Sequence, residues 1–148
     1  MPIRQITPMS EVTDYLDRRI AALEEALVYN FEVIGERVVE RVRSAGNYTD
    51  RTGNLRSSTG YVVVKDGKVV RWSDFRSVKG GSDGSADGKD FAAELARRFS
   101  AGIVLVVVAG MRYAYYVKKR GYDVIDSGEL LADALVPKLL KDLGVRVR

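Results

Sequence analysis

Two short fragments place a carboxylate two residues ahead of a lysine, as metal-dependent nucleases do: Asp66-Gly67-Lys68 and Asp87-Gly88-Lys89. In that chemistry carboxylates hold magnesium beside a lysine, within a strand and next to a further carboxylate. Asp66 falls instead on an expected hairpin tip and Asp87 in a glycine-rich stretch, so neither fragment is a complete site. The segment Gly84-Ser85-Ala86-Asp87-Gly88-Lys89-Asp90 has the glycines and lysine of a phosphate-binding loop ahead of a helix. Its glycines stand one residue too close for G-x-x-x-x-G-K, and Asp90 occupies the place of the magnesium-holding Ser or Thr, where it would repel phosphate. A third constellation sets Arg112, Lys118, Lys119 and Arg120 among Tyr113, Tyr115 and Tyr116, a mixture that can neutralise phosphates and stack bases. At helical spacing, Tyr113, Tyr116 and Val117 also read as a core stripe with the cations as its solvated face. Cys and His are both absent from the chain. That excludes disulfides, Cys/His zinc sites, thiol catalysis and His-dependent triads, leaving only carboxylate, Lys, Tyr or Ser chemistry. None of the three fragments above completes a catalytic, cofactor or metal site from that remaining chemistry.

The elements that would position these residues are legible from periodicity. Val12, Leu16, Ile20, Leu23, Leu27, Phe31, Ile34, Val38 and Val42 recur every three or four residues and predict one long helix over residues 11–43. Ser10 can cap its start, Arg41 and Arg43 suit its C-terminal dipole, and Gly46 with Asn47 can stop it. At 1.5 Å per residue such a helix spans about 50 Å, so part of it projects from the domain, unless it kinks near Asn30 or Gly35 and folds back. Tyr61–Lys65 and Lys68–Trp72 flank Asp66-Gly67 and predict a hairpin pairing Tyr61 with Trp72, Val63 with Val70 and Val64 with Val69. Its tip, carrying Lys65 and Lys68, is expected to be exposed and free to meet a partner. Residues 73–89 read as a flexible Gly/Ser/Asp loop, followed by a short helix from Asp90 to Ser100. Ile103–Ala109 is apolar throughout, as expected of a strand covered on both faces, one of them by a neighbouring subunit. Tyr113–Val117 predicts a helical turn ending at Gly121, Tyr122–Ile125 a short strand, and Ser127 the cap of a last helix interrupted at Pro137.

The expected class is therefore α+β: one domain over residues 1–148 with a long N-terminal helix, an antiparallel sheet of about four strands including the hairpin, and two or three shorter helices. Nothing approaches the 18 apolar residues of a membrane span. The N-terminal Met1-Pro2-Ile3-Arg4-Gln5 lacks a secretory layout, which predicts folding in the cytoplasm. The net charge of +4 is unevenly distributed: Ser10–Glu40 carries eight acids and three bases, Arg41–Lys79 nine bases and three acids. Such blocks suit an internal salt-bridged face or head-to-tail contact between identical subunits.

The polar segment after the long helix, Tyr48-Thr49-Asp50-Arg51-Thr52-Gly53-Asn54-Leu55-Arg56-Ser57-Ser58, contains turn and capping residues in Asp50 and Asn54, a positive-φ glycine in Gly53 and an apolar anchor in Leu55. With Val108-Ala109-Gly110-Met111-x-Tyr113-Ala114-x-Tyr116-Val117 and Gly121-Tyr122-Asp123-Val124-Ile125, it resembles the neck and tail-completion family of long-tailed bacteriophages. The resemblance runs from about Val33 to Leu140. It implies a non-catalytic α+β subunit that assembles into a homo-oligomeric ring between the connector and the tail of the virion, with DNA passing through the centre. It further implies that Asp50, Arg51, Gly53, Asn54, Leu55 and Arg56 serve fold or assembly. Lys65, Lys68, Lys118, Lys119 and Arg120 are then candidates for lining a DNA channel or an interface. The Gly/Ser stretch at 77–88 and the basic tail Arg146-Val147-Arg148 depart from the family pattern. A small non-specific nucleic-acid-binding domain is the alternative.

Overall fold

In the computed structural model, which describes residues 2–145, a single unbroken helix α1 (Met9–Ala45) crosses a three-stranded antiparallel sheet. The strands are β1 (Thr59–Lys65), β2 (Lys68–Trp72) and β3 (Ile103–Ala109), in the order β2-β1-β3. Four shorter helices complete the fold: α2 (Asn54–Ser57), α3 (Ser82–Ala96), α4 (Ala114–Lys119) and α5 (Asp126–Asp142). The class is α+β. Arg146-Val147-Arg148 lies outside the described residues.

β1 is the central strand, and the alternation of its side chains splits the core in two. Tyr61 and Val63 face α1, packing with Val28, Phe31 and Val39 and with Leu139 of α5. Val62 and Val64 face the opposite side, packing with Ala92 and Ala96 of α3 and with Phe75. On the first face Tyr61 lies so close to α1 that a Cβ at Gly35 would come within 2.6 Å of its ring. Gly35 thus lets helix backbone and phenol touch. The Tyr61 hydroxyl donates to Glu36 Oε1 at 2.9 Å.

Burial, reinforced by that hydrogen bond, pushes the Tyr61 phenol well above the ordinary tyrosine value of 10.0. A folded-state pKa raised above the unfolded one means that stability is intact below the unfolded value and is lost as pH rises through the folded one. The chain is therefore expected to weaken as the pH climbs past 10. Urea midpoints between about pH 8 and 11 should fall less steeply in Tyr61→Phe than in wild type; equal slopes would refute the role given to this phenol.

The fourth strand expected at Tyr122–Ile125 does not form. Val124 is buried beside Tyr48, Leu55 and Ala114, while Asp123 is occupied as a cap, its amide donating to Asn47 Oδ1 and its carboxylate accepting from the Ser127 amide. Asp123, not Ser127, closes the start of α5. That helix runs through Pro137 without a break.

The expected loop at 73–89 is only half loop, because α3 already begins at Ser82. Gly84, Gly88, Ala92 and Ala96 stand four apart and form its buried face. There the glycines admit contacts closer than any side chain would allow. A Cβ on Gly84 would lie 2.0 Å from the Asn54 carbonyl oxygen, and one on Gly88 2.3 Å from that of Ser58. α3 also sheathes the second face of β3, where Val106 and Val108 are buried, whereas Ile103, Leu105 and Val107 on the first face stay partly exposed beside α1 and α5.

The hairpin turn has positive φ at both Asp66 and Gly67, as a two-residue primed turn requires. Its pairing departs from the simple register. Val64 pairs with Val69 as expected, but a bulge after Val63 shifts the rest, pairing Val63 with Arg71 and Val62 with Trp72. The extra residue lets Val70 join the core while Arg71 reaches Glu32 of α1 on the same side. Tyr61, expected opposite Trp72, is buried under α1 instead, and Trp72 remains exposed with Lys89 over its ring.

Candidate assembly surfaces and the linking motif

The segment between α1 and β1 ties the fold together through polar contacts. Asp50 is buried and its Oδ2 accepts from the Arg56 amide at 2.9 Å. Gly53 adopts φ +76°, where a Cβ would come within 1.8 Å of the Val78 carbonyl oxygen. Asn54 Oδ1 accepts from the Gly84 amide in the first turn of α3, and Ser57 Oγ accepts from the Val78 amide. Leu55 is fully buried. Arg56 turns back to α1, donating through Nε to the Arg43 carbonyl and through Nη2 to the Gly46 carbonyl, with its guanidinium 4.7 Å from the Tyr48 ring centre. Gly46 does not adopt the left-handed conformation of a helix-ending glycine, so Arg56 supplies the C-terminal cap. At the other end the Ser10 side chain makes no cap, and the Pro8 carbonyl accepts from the amides of Glu11 and Val12. Arg51 alone of the six motif residues is exposed.

The basic residues singled out from sequence do not converge. Lys65 and Lys68 sit at one end of the sheet, where Lys65 pairs with Ile103, while α4 follows β3 at the other end, where Thr59 pairs with Ala109. The hairpin tip is exposed at Asp66 and Lys68, as expected, but it is not free of contacts. The Asp66 amide and carboxylate hold the Gly102 carbonyl and amide at 2.9 Å each, and Lys65 Nζ pairs with Glu24 at 2.7 Å. With Arg71–Glu32 at 3.2 Å, these pairs join acidic α1 to the basic hairpin inside one chain, so the opposed charge blocks meet at least partly within the subunit. Lys118 pairs with Asp126 at 2.8 Å; Lys119 and Arg120 are exposed. Of the two nuclease-like acids, Asp66 is engaged by Gly102, and Asp87 stands on the exposed side of α3. Among the described residues no three acidic groups cluster as metal ligands.

Around α4 the expected core stripe holds only at Val117, which packs half-buried on the Tyr48 cluster. Ala114 is the buried member, whereas Tyr113 and Tyr116 are exposed. These two join Tyr48, Tyr122, Arg51 and Arg120 in lining a groove of about 470 Å³. Tyr48 itself is buried, with a hydroxyl that has no hydrogen-bond partner, and burial raises its pKa. The sequence grouped two of these tyrosines, Tyr113 and Tyr116, with Arg120, but the contribution of Tyr48 and Arg51 from the linking segment and of Tyr122 is a product of tertiary structure.

Two apolar surfaces stand open among the described residues. The first is the N-terminal half of α1, where Met9, Val12, Leu16, Ile20 and Leu23 are 38–64% exposed while Phe31, Ile34, Val38 and Val42 on the same face are buried. The stripe is continuous; the domain beneath it ends. Thirty-seven residues at 1.5 Å make a helix of about 55 Å, against a radius of gyration of about 15 Å for a compact domain of this length. The second is a groove of about 460 Å³ between α1, β3 and α5, lined by Phe31, Leu105, Val107, Ile125, Ala132 and Val136, with Glu129 on its wall. β3 is also an edge strand, with no strand on its outer side among the described residues.

Comparison with known proteins yields no match: no family model, no curated protein and no solved structure is significantly similar to this chain.

Proposed function

We propose that this chain is a non-catalytic structural subunit that forms a ring at the head-to-tail junction of a tailed bacteriophage, joining connector to tail and letting DNA pass. It would fold in the host cytoplasm and reside in the virion, in contact with copies of itself and with other connector and tail proteins. The observation that carries this reading is the apolar face of α1, which runs some 15 residues past the body of the domain with nothing to cover it. Exposed apolar stripes of that length belong to interfaces, because a monomer leaves them in water at a cost in solubility. The resemblance of residues 48–58 supplies the phage context, and those residues tie α1 to β1 and α3. Native mass spectrometry and electron microscopy, on the chain alone and with connector and tail proteins of a tailed phage, should give closed rings. Monomers under both conditions would overturn the reading.

The second reading, a non-specific nucleic-acid-binding domain, is favoured by the tyrosine and arginine groove beside α4, where bases could stack and guanidinium groups meet phosphates. It predicts binding of single-stranded DNA that weakens steeply with salt. Replacing Arg51 and Arg120 with Gln should lower the salt slope by about one for each cation and weaken binding at least about tenfold. Fluorescence anisotropy with a labelled oligonucleotide decides; unchanged affinity and slope would dismiss it.

A further inference from the structure

We infer that the exposed N-terminal half of α1 docks into the groove between α1, β3 and α5 of the next copy of the same chain. This specifies the interface of the ring-forming reading above and depends on it.

From Met9 to Val42 the apolar residues advance by 3, 4, 4, 3, 4, 4, 3, 4 and 4, an eleven-residue repeat with a mean of about 3.7, above the 3.5 that drives a left-handed supercoil. That period does not build the left-handed two-stranded coiled coil of a heptad repeat. On a straight helix the face drifts only about 20° in eleven residues, little enough to lie along a globular surface. Its C-terminal half already rests on one, since Ile34, Val38 and Val42 pack against Leu105 and Val107 of β3 and Leu131, Leu135 and Val136 of α5. The N-terminal half presents side chains of the same type along the same line, and an apolar groove built from β3 and α5 stands open on the same chain.

The two surfaces differ in shape and do not overlap. One is a projecting ridge of Leu16, Ile20 and Leu23; the other is a concavity floored by Leu105 and Val107. A ridge meeting a groove elsewhere on an identical molecule is a heterologous contact, which closes into a ring when its rotation permits. Charge favours the pairing as well. Arg19, about 100° of helix turn from Ile20, flanks the ridge, and the exposed Glu129 stands on the wall of the groove.

The test uses the full chain and variants that break one side at a time. Leu16→Asp with Ile20→Asp should abolish assembly while preserving the circular dichroism melt, because both positions are more than half exposed in the subunit. Ala132→Trp should abolish it by filling the groove. Glu129→Arg serves as a second groove variant, exposed and safe for folding; it should weaken assembly and be rescued by Arg19→Glu. Mixing the Leu16→Asp/Ile20→Asp chain with the Ala132→Trp chain leaves one intact ridge and one intact groove per pair. Native mass spectrometry should then show 1:1 dimers and nothing larger. Rings that form in wild type and survive both the ridge and the groove variants would overturn the docking yet leave the structural-subunit reading standing. A wild-type chain that stays monomeric at its highest soluble concentration, alone and with connector and tail proteins, would overturn both.

Discussion

Gly84→Ala and Gly88→Ala are each expected to destabilise the chain by about 3 kcal/mol or more, against the usual sign for glycine in a helix interior. Helix propensity alone predicts a gain of nearly 1 kcal/mol for each replacement, since alanine loses less backbone entropy on folding. Both glycines have ordinary helical backbone, so no conformational strain opposes alanine. What opposes it is space. The new methyl at 84 would lie 2.0 Å from the Asn54 carbonyl oxygen, and that at 88 2.3 Å from the Ser58 carbonyl oxygen. Both obstacles are backbone held in place, Ser58 by the Gly110 amide on its carbonyl and Asn54 by the Gly84 amide on its Oδ1. α3 would have to withdraw from α2 and take Ala92 and Ala96 with it out of the core. Overpacking typically costs 1–3 kcal/mol where side chains can yield, and here they cannot. The double variant should spend most of a stability on the order of 5–15 kcal/mol and populate the unfolded state. Asp87→Ala, on the exposed side of the same helix, is the control and should lie within about 0.5 kcal/mol of wild type. Urea titrations measure all four. Alanine variants as stable as wild type would mean that α3 does not lie on α2 as described.

The same glycines mark where the sequence ceased to be legible. α1 and the hairpin declare themselves by local rules: an apolar residue every three or four positions, and Asp-Gly between two β-branched runs. α3 obeys such a rule too, since Gly84, Gly88, Ala92 and Ala96 are four apart, but its buried face is written in small residues, and a scan for large apolar ones reads the segment as loop. Tyr122–Ile125 failed for the converse reason. Its residues look like a strand, yet Asp123 and Val124 have better partners in Asn47, Ser127 and the Tyr48 cluster than any ladder could offer. In the linking segment the residue types revealed a turn but not its contacts. The partners of Asp50, Asn54, Ser57 and Arg56 include amides and carbonyls up to 30 positions away, and no periodicity governs bonds from side chains to distant backbone. As for surfaces, the over-long helix announced a projection, whereas the apolar groove exists only after β3, α5 and α1 have packed.

Arg56→Ala is expected to cost about 4 kcal/mol and Arg56→Lys to recover less than half of that, although lysine keeps the charge. Two contributions set the size. Hydrogen bonds from a charged donor contribute about 1.5–3 kcal/mol, and Arg56 closes the last turn of α1 with two, to Arg43 and to Gly46. Stacking of the guanidinium on Tyr48 adds roughly 0.5–1 kcal/mol. A lysine ammonium can reach one carbonyl but cannot bridge both while lying flat on a ring, because its donors radiate from a point instead of a planar fork. The loss should be local as well as global. Without Arg56 the carbonyls at the end of α1 have no side-chain partner, so the final turn from Val42 to Ala45 should fray and its amides should exchange faster than the middle of the helix. At about 2–4 °C per kcal/mol for a chain of this size, the thermal midpoint of Arg56→Ala should drop by roughly 10 °C. Asp50→Ala, which removes only the buried carboxylate acceptor for the Arg56 amide, should cost about 1.5–3 kcal/mol and leave exchange in that turn largely unchanged. If Arg56→Lys proved as stable as wild type, charge alone would account for this position and the capping role would be wrong.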